Sequence, residues 1–238
     1  MKQSQAKKRD NAMTNKILMG LIALVLGLLF LEILIVHSKN EQQKNASNQV
    51  QTARIMANGD LLYHDGLYMS ALQSDGSYDF TENFTYVKPW LKQADLVLGD
   101  FEGTINPDYP LSGYPLFNAP QSVTAAIKDA GYDVMDLAHN HILDSGLEGA
   151  FTTADAFKKV GIDPIGVYEK PVRDKAPLLI KNVNGIKVAI LSYAYGYNGL
   201  ESNLTDKEVA DHLSNLDEKR MKAEIQRAEK EADITVIM

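Results

Sequence analysis

The sequence has no cysteine among its 238 residues. That excludes disulfide staples, thiol nucleophiles and cysteine-ligated metal sites. A basic surplus is missing as well. Of 24 Lys and Arg against 31 Asp and Glu, seven and three fall in residues 1–50, which leaves residues 51–238 with 17 against 28 and a net charge of −11. A domain this acidic argues against a nucleic-acid partner, and it offers a membrane surface no polybasic patch beyond the N-terminal segment. The length suits an anchor plus one domain, and nothing marks a second domain.

What is present first is an apolar run. Residues 17–36, ILMGLIALVLGLLFLEILIV, hold a single charge, Glu32, and are long enough as a helix to cross a hydrocarbon core. Lys2, Lys7, Lys8, Arg9 and Lys16 precede the run, while only Lys39 and Lys44 follow closely. The positive-inside rule then puts residues 1–16 in the cytoplasm and everything after residue 36 outside a cell membrane crossed once. A cleavable signal peptide is the competing reading. The run is long for one, and the following HSKNEQQ offers no small-x-small site, so an uncleaved signal anchor is expected over 17–36. Residues 37–51 are polar and rich in Asn and Gln, the composition of a flexible stalk, and lead into a domain over 52–238.

Within that domain, strands are expected at 54–57, 96–98, 133–138 and 234–237, and helices at 87–93, 123–130, 145–160 and 217–232. Trp90 and Leu91 are expected core contacts of the first helix. Gly131 and Gly161 stand where helices stop. Leu147, Ala150, Phe151, Ala154, Phe157 and Val160 recur at helical spacing, a stripe wide enough to pack on a sheet. Asn184-Gly185 between two apolar runs, 177–183 and 186–193, is a hairpin signal. Strands alternating with helices give an α/β fold with a largely parallel sheet and at least one antiparallel hairpin.

Ligands in such sheets sit beyond the carboxyl ends of the strands. Three strands end alike, in ANGDLLYHD (57–65), LGDFEG (98–103) and AHNHILDSG (138–146). As parallel neighbours they would bring Asp60, Asp100, Glu102, Asn140 and His141 to one edge. Carboxylates with an imidazole and an amide oxygen suit a hard or borderline divalent ion such as Mn, Zn, Fe or Mg. Each piece also has a plainer reading. A Gly-Asp after a strand is commonly a turn, His64 can be a surface side chain, Asp144 can cap the helix that starts near Ser145, and Tyr193, Tyr195 and Tyr197 can be a packed aromatic edge or a substrate platform.

GDLLYH, GDFEG and AHNHILDSG, in that order, resemble the motifs of the poly-γ-glutamate capsule synthesis proteins of CapA type, over about residues 54–238. That family is membrane-anchored and outward-facing, and its domain is similar to the calcineurin-like metallophosphoesterases. The resemblance implies an α/β/β/α sandwich, with Asp60, Asp100, Glu102 and Asn140 as metal ligands, His64 as a further candidate, and His141 as the imidazole beside the reacting group. It departs at His64, four residues after Asp60 where Asp-x-His is usual, at the Asp100-Phe101-Glu102 spacing, and at His139.

The family continues into further ligand-bearing segments that follow the position of ITVIM, where this chain stops. With His37 and His212 elsewhere, the chain does not supply the roughly five to seven ligands of a dinuclear centre. A truncated domain is therefore expected, either a piece of a longer protein or a degraded, inactive version, the unfinished last strand favouring a piece. Three functions follow from the likeness. The first is synthesis or export of an anionic polymer such as poly-γ-glutamate, the second hydrolysis of small phosphoesters, and the third a non-catalytic scaffold for membrane-bound polymer synthase subunits, held through the anchor helix and its Glu32.

Overall fold

The computed structural model describes Met19, residues 27–39 and residues 50–238. The chain divides into two compact units, residues 1–50 and 51–238. In the first, residues 27–39 form an exposed helix, ~20 Å long at the usual helical rise. Among the described residues no helix is long and apolar enough to cross a membrane. The expected cytoplasmic tail, residues 17, 18 and 20–26 of the expected anchor, and residues 40–49 of the expected stalk lie outside the described residues.

The second unit is built on two sheets. The larger is wholly parallel, with β1 (Ile55–Asp60), β2 (Leu96–Asp100), β3 (Val134–Asp136) and β4 (Asp163–Ile165) side by side in chain order. The smaller pairs β5 (Leu179–Val183) antiparallel with β6 (Ile186–Leu191), and β6 parallel with β7 (Ile234–Ile237). The hairpin loop is Asn184-Gly185, with φ of 53° and 89°. Two consecutive positive φ values define the turn whose twist matches that of paired strands, which is why Asn-Gly occupies it.

Six α-helices accompany the sheets: α1 (Asp65–Ala71), α2 (Lys88–Leu91), α3 (Val123–Ala130), α4 (Gly146–Lys159), α5 (Asp206–His212) and α6 (Glu218–Glu231). Alternation along the strands sorts the core into layers. Val97 and Met135 face a cluster with Ile127 of α3 and Phe157 of α4. Leu96, Leu98 and Val134 face the other way and meet Val183, Val188 and Ile190 of the second sheet. Ala189 and Leu191 on the far side of β6 pack with Ala228, Met221 and Ile225 of α6. The layering is thus helices, parallel sheet, mixed sheet, helix.

Helices α3, α4 and α6 match expectation to within a residue or two. Trp90 does not, being 65% exposed, because α2 is a single turn carrying Pro89 near its start and has no second turn to set an inward face. Leu91 does pack, partly buried, against the core. Strand β1 runs through Asn58 and Gly59 to Asp60 by way of a register shift instead of stopping before them. Strand β3 is shorter than expected, and β4 was not expected at all. A three-residue DPI segment is too short to show periodicity, and its proline is tolerated because β4 forms the sheet edge.

Candidate functional site

Parallel pairing places three aspartates in one row. Asp60 at the end of β1 is in register with Asp100 at the end of β2, and Asp100 with Asp136 at the end of β3. Neighbouring strands lie about 4.8 Å apart, so the three carboxyls crowd one sheet edge. Burial deepens along the row, from exposed Asp60 through half-buried Asp100 to buried Asp136. Burial, together with repulsion from Asp136, Asp60 and Glu102, pushes the Asp100 carboxyl up to about 8. Glu102 is also raised, by burial and then by the Asp60 carboxyl, with His141 opposing. Asp136 is lifted by burial to about 6, against hydrogen bonds donated by Ser192 Oγ and by the Ala138 N–H at 2.8 Å. Asp100 Oδ1 is buried without a hydrogen-bond partner.

After β3 the chain makes the turn 139–145. The buried His139 Nδ1 accepts the His141 N–H at 3.1 Å, and burial holds its imidazole neutral by pushing it down to about 3. His139 is therefore occupied inside the turn, its Nε2 lying 3.5 Å from the Gly103 N, which leaves His141 as the more open imidazole. His141 Nδ1 lies 2.8 Å from Asp144 Oδ2, and the same oxygen accepts the Phe117 N–H at 2.6 Å. The Phe117 ring meets the imidazole edge-on, centroids 4.8 Å apart. Paired through Nδ1, the ring presents Nε2 to Glu102 Oε1 at 3.9 Å and to Asn198 Nδ2 at 3.4 Å. The capping role considered for Asp144 is not observed. Helix α4 begins after Ser145 without a side-chain cap; the Asp144 carboxylate meets Phe117 and His141 through Oδ2, and its Oδ1 is buried without a partner.

Of the sequence candidates, Asp60, Asp100, Glu102 and His141 come together, and Asn140 stands beside them, donating from Nδ2 to Asn198 Oδ1 at 3.3 Å. His64 stands apart. It is half-exposed and engaged with Asp65, and it reaches the site only through Phe117, whose ring centroid is 5.7 Å away. Tyr193 and Tyr197 are packed and only Tyr195 is exposed. Asp136, Ser192, Phe117 and Asn198 escaped sequence reasoning. The strand register would have revealed Asp136, and the Asn-Gly pair at 198–199 signals a turn without telling what it touches.

Among the described residues, no group of three His, Asp or Glu side chains has the arrangement that holds a metal ion. The donor chemistry still fits a divalent cation. Crowded carboxyls whose proton affinity is raised by burial and mutual repulsion, and an orphaned buried oxygen on Asp100, are what a hard ion would relieve.

The fold and the strand-end acids define the class, a layered α/β domain with its site at the carboxyl edge of a parallel sheet. The chain belongs to the bacterial capsule synthesis protein family, PGA_cap, whose model matches residues 54–238. It is 34% identical over 115 residues to the capsule biosynthesis protein CapA of Bacillus anthracis, covering 46% of this chain and 28% of that one. It is 25% identical over 189 residues to the PGA biosynthesis protein CapA of Bacillus subtilis, covering 78% and 48%. An uncharacterized protein of Sinorhizobium fredii, y4sH, is 27% identical over 160 residues, covering 64% and 32%. The chain thus spans less than half the length of each of these relatives.

Proposed function

We propose that this chain is the site-bearing part of a membrane-anchored, outward-facing protein that serves synthesis or export of an anionic capsule polymer such as poly-γ-glutamate, using a metallophosphoesterase-like centre. One observation carries the reading: three in-register aspartates, Asp60, Asp100 and Asp136, share an edge with Glu102, which faces a histidine oriented by its own carboxylate. Asp60, Asp100, Glu102 and Asn140 would hold the cation, of the Mn, Zn, Fe or Mg class, with Asp136 behind them. When bound, a divalent ion supplies Lewis-acid polarisation of a phosphoryl or carboxyl oxygen and a water acidic enough to act as nucleophile.

The rest falls to the chain's own groups. The Asp144–His141 pair keeps Nδ1 engaged and leaves Nε2 to give or take a proton at the reacting oxygen. The Phe117 ring shields that pair from water on one side. An acidic surface repels an anionic polymer, so a cation at this edge reconciles site and substrate. The localisation follows from the charge asymmetry about residues 17–36, and membrane-bound synthase subunits are the natural partners of such an anchor.

The test is polymer accumulation in a Bacillus cell lacking its own CapA. The protein should restore it, and Asp100→Asn and His141→Ala should not; restoration by both variants would sink the metal-centre reading. A second reading, hydrolysis of small phosphoesters, draws support from the same Asp144–His141 pair. Phosphate release from a chromogenic phosphoester with added Mn²⁺ separates the two.

A further inference from the structure

Asn198 sits on the loop that leaves β6, in the second sheet, yet its amide touches the two residues that lead the site on the first. Its Oδ1 accepts from Asn140 Nδ2 at 3.3 Å, and its Nδ2 is 3.4 Å from His141 Nε2. Its backbone is left-handed, with φ of 54°, followed by Gly199 at 84°, and the turn is closed by the Leu200 N–H donating to the Tyr197 carbonyl at 2.9 Å. Such a turn asks only for positive φ at both central positions, and glycine meets that demand at no steric cost. Asparagine tolerates the conformation, but the turn does not explain why its exposed side chain spans some 57 residues of sequence to meet Asn140 and His141.

We propose that Asn198 is the positioning residue of the site. By accepting from Asn140 Nδ2 it engages the amide nitrogen and leaves the amide oxygen as the end available to a cation. By facing His141 Nε2 it holds the imidazole in line with the acids until a substrate oxygen takes that place. A loop of the mixed sheet thereby sets the geometry of residues on the parallel sheet. Outer partners of this kind typically change metal affinity by ten- to a hundredfold. The proposal rests on the reading of Asn140 as a cation ligand, and its test separates the two.

The variant is Asn198→Gly, which keeps the positive φ and removes only the amide; Asn198→Asp keeps an acceptor for Asn140. In the metal-free full chain, the Asn140 side-chain NH₂ signals, identified by their loss in Asn140→Ala, should shift and exchange faster with water in Asn198→Gly and remain slow to exchange in Asn198→Asp, whose carboxylate still accepts from them. With Mn²⁺ alone as the probe, the dissociation constant should rise about tenfold in Asn198→Gly while the melting temperature holds or rises. Unmoved Asn140 signals in Asn198→Gly overturn the proposal whatever Mn²⁺ does. Moved signals with Mn²⁺ binding unchanged in both Asn198→Gly and Asn140→Ala uphold the positioning role and remove Asn140 from the ligand set instead. Should Asn198→Gly lower the melting temperature, Asn198→Asp decides, since Asn140 signals that exchange fast there, with an acceptor still in place, would overturn the positioning role.

Discussion

Replacing Asp100 by asparagine keeps the side chain's size, removes its charge, and is expected to stabilise the metal-free protein. The Asp100 carboxyl is pushed up to about 8 in the fold, against ~3.9 for an ordinary aspartate. Between those values the folded chain holds a proton that the unfolded chain releases, so stability falls as pH rises from ~4 to ~8 and levels off above. At pH 7 the gap of about 3 units corresponds to ~4 kcal/mol, and solvent reaching the half-buried group screens this to ~2 kcal/mol. An amide pays no such penalty and can donate to Asp60 or Glu102. For a domain of this size the melting temperature should rise by ~4–8 °C at pH 7, with the advantage absent at pH 4. Saturating Mn²⁺ should invert the order, since ligand at a hundred times its dissociation constant adds ~2.7 kcal/mol to the parent alone. Thermal melts at pH 4, 7 and 8.5, with and without Mn²⁺, read all of this. A lower melting temperature for Asp100→Asn at pH 7 without metal, or an advantage independent of pH, refutes the reasoning.

Asp144→Ala strands the buried Phe117 N–H and frees His141 Nδ1, and should cost ~1–3 kcal/mol in urea unfolding, with Asp144→Asn costing less; a loss below ~0.5 kcal/mol would show that this carboxylate organises nothing. Gly166→Ala places a methyl 2.6 Å from the Ala138 N at a φ of 93°, so it should cost ~1–3 kcal/mol or more and shift the backbone amide signals of 138–141 that carry the site; an unshifted spectrum would uncouple β4 from the turn. Trp90→Ala should change stability by no more than ~0.5 kcal/mol, as expected of an exposed side chain. A loss of ~3–5 kcal/mol in urea would return Trp90 to the core.

Elements whose cause is local were legible in the sequence. Helix α4 announces itself through six apolar residues at helical spacing, α3 through the Gly131 that ends it at a φ of 118°, and the β5–β6 hairpin through Asn184-Gly185. Elements whose cause is a partner were not. Strand β4 exists because Asp163, Pro164 and Ile165 pair with Val134, Met135 and Asp136, and nothing within DPI requires a strand. Trp90 misled because an amphipathic pattern predicts an inward face only when the helix is long enough to have one, and α2 has four residues.

The site divides along the same line. Strand-end acids were readable because parallel strands must finish at one edge, so Asp60, Asp100 and the turn at 139–145 could be placed together before any contact was known. Asp136 was hidden by its apolar neighbours, since VMDLA reads as uninterrupted strand; only its register with Asp100 makes it the third of a row. Ser192 and Asn198 were hidden for a different reason. Both follow β6, whose inner face, Val188 and Ile190, packs against Leu96, Leu98 and Val134 of the parallel sheet. That apolar contact between sheets, which carries no functional signature, brings the Ser192 hydroxyl to Asp136 and the Asn198 amide to Asn140 and His141. A polar site joined across two sheets therefore inherits its precision from the packing beneath it, and substitutions in that inter-sheet layer should disturb the acids and the imidazole together without touching either.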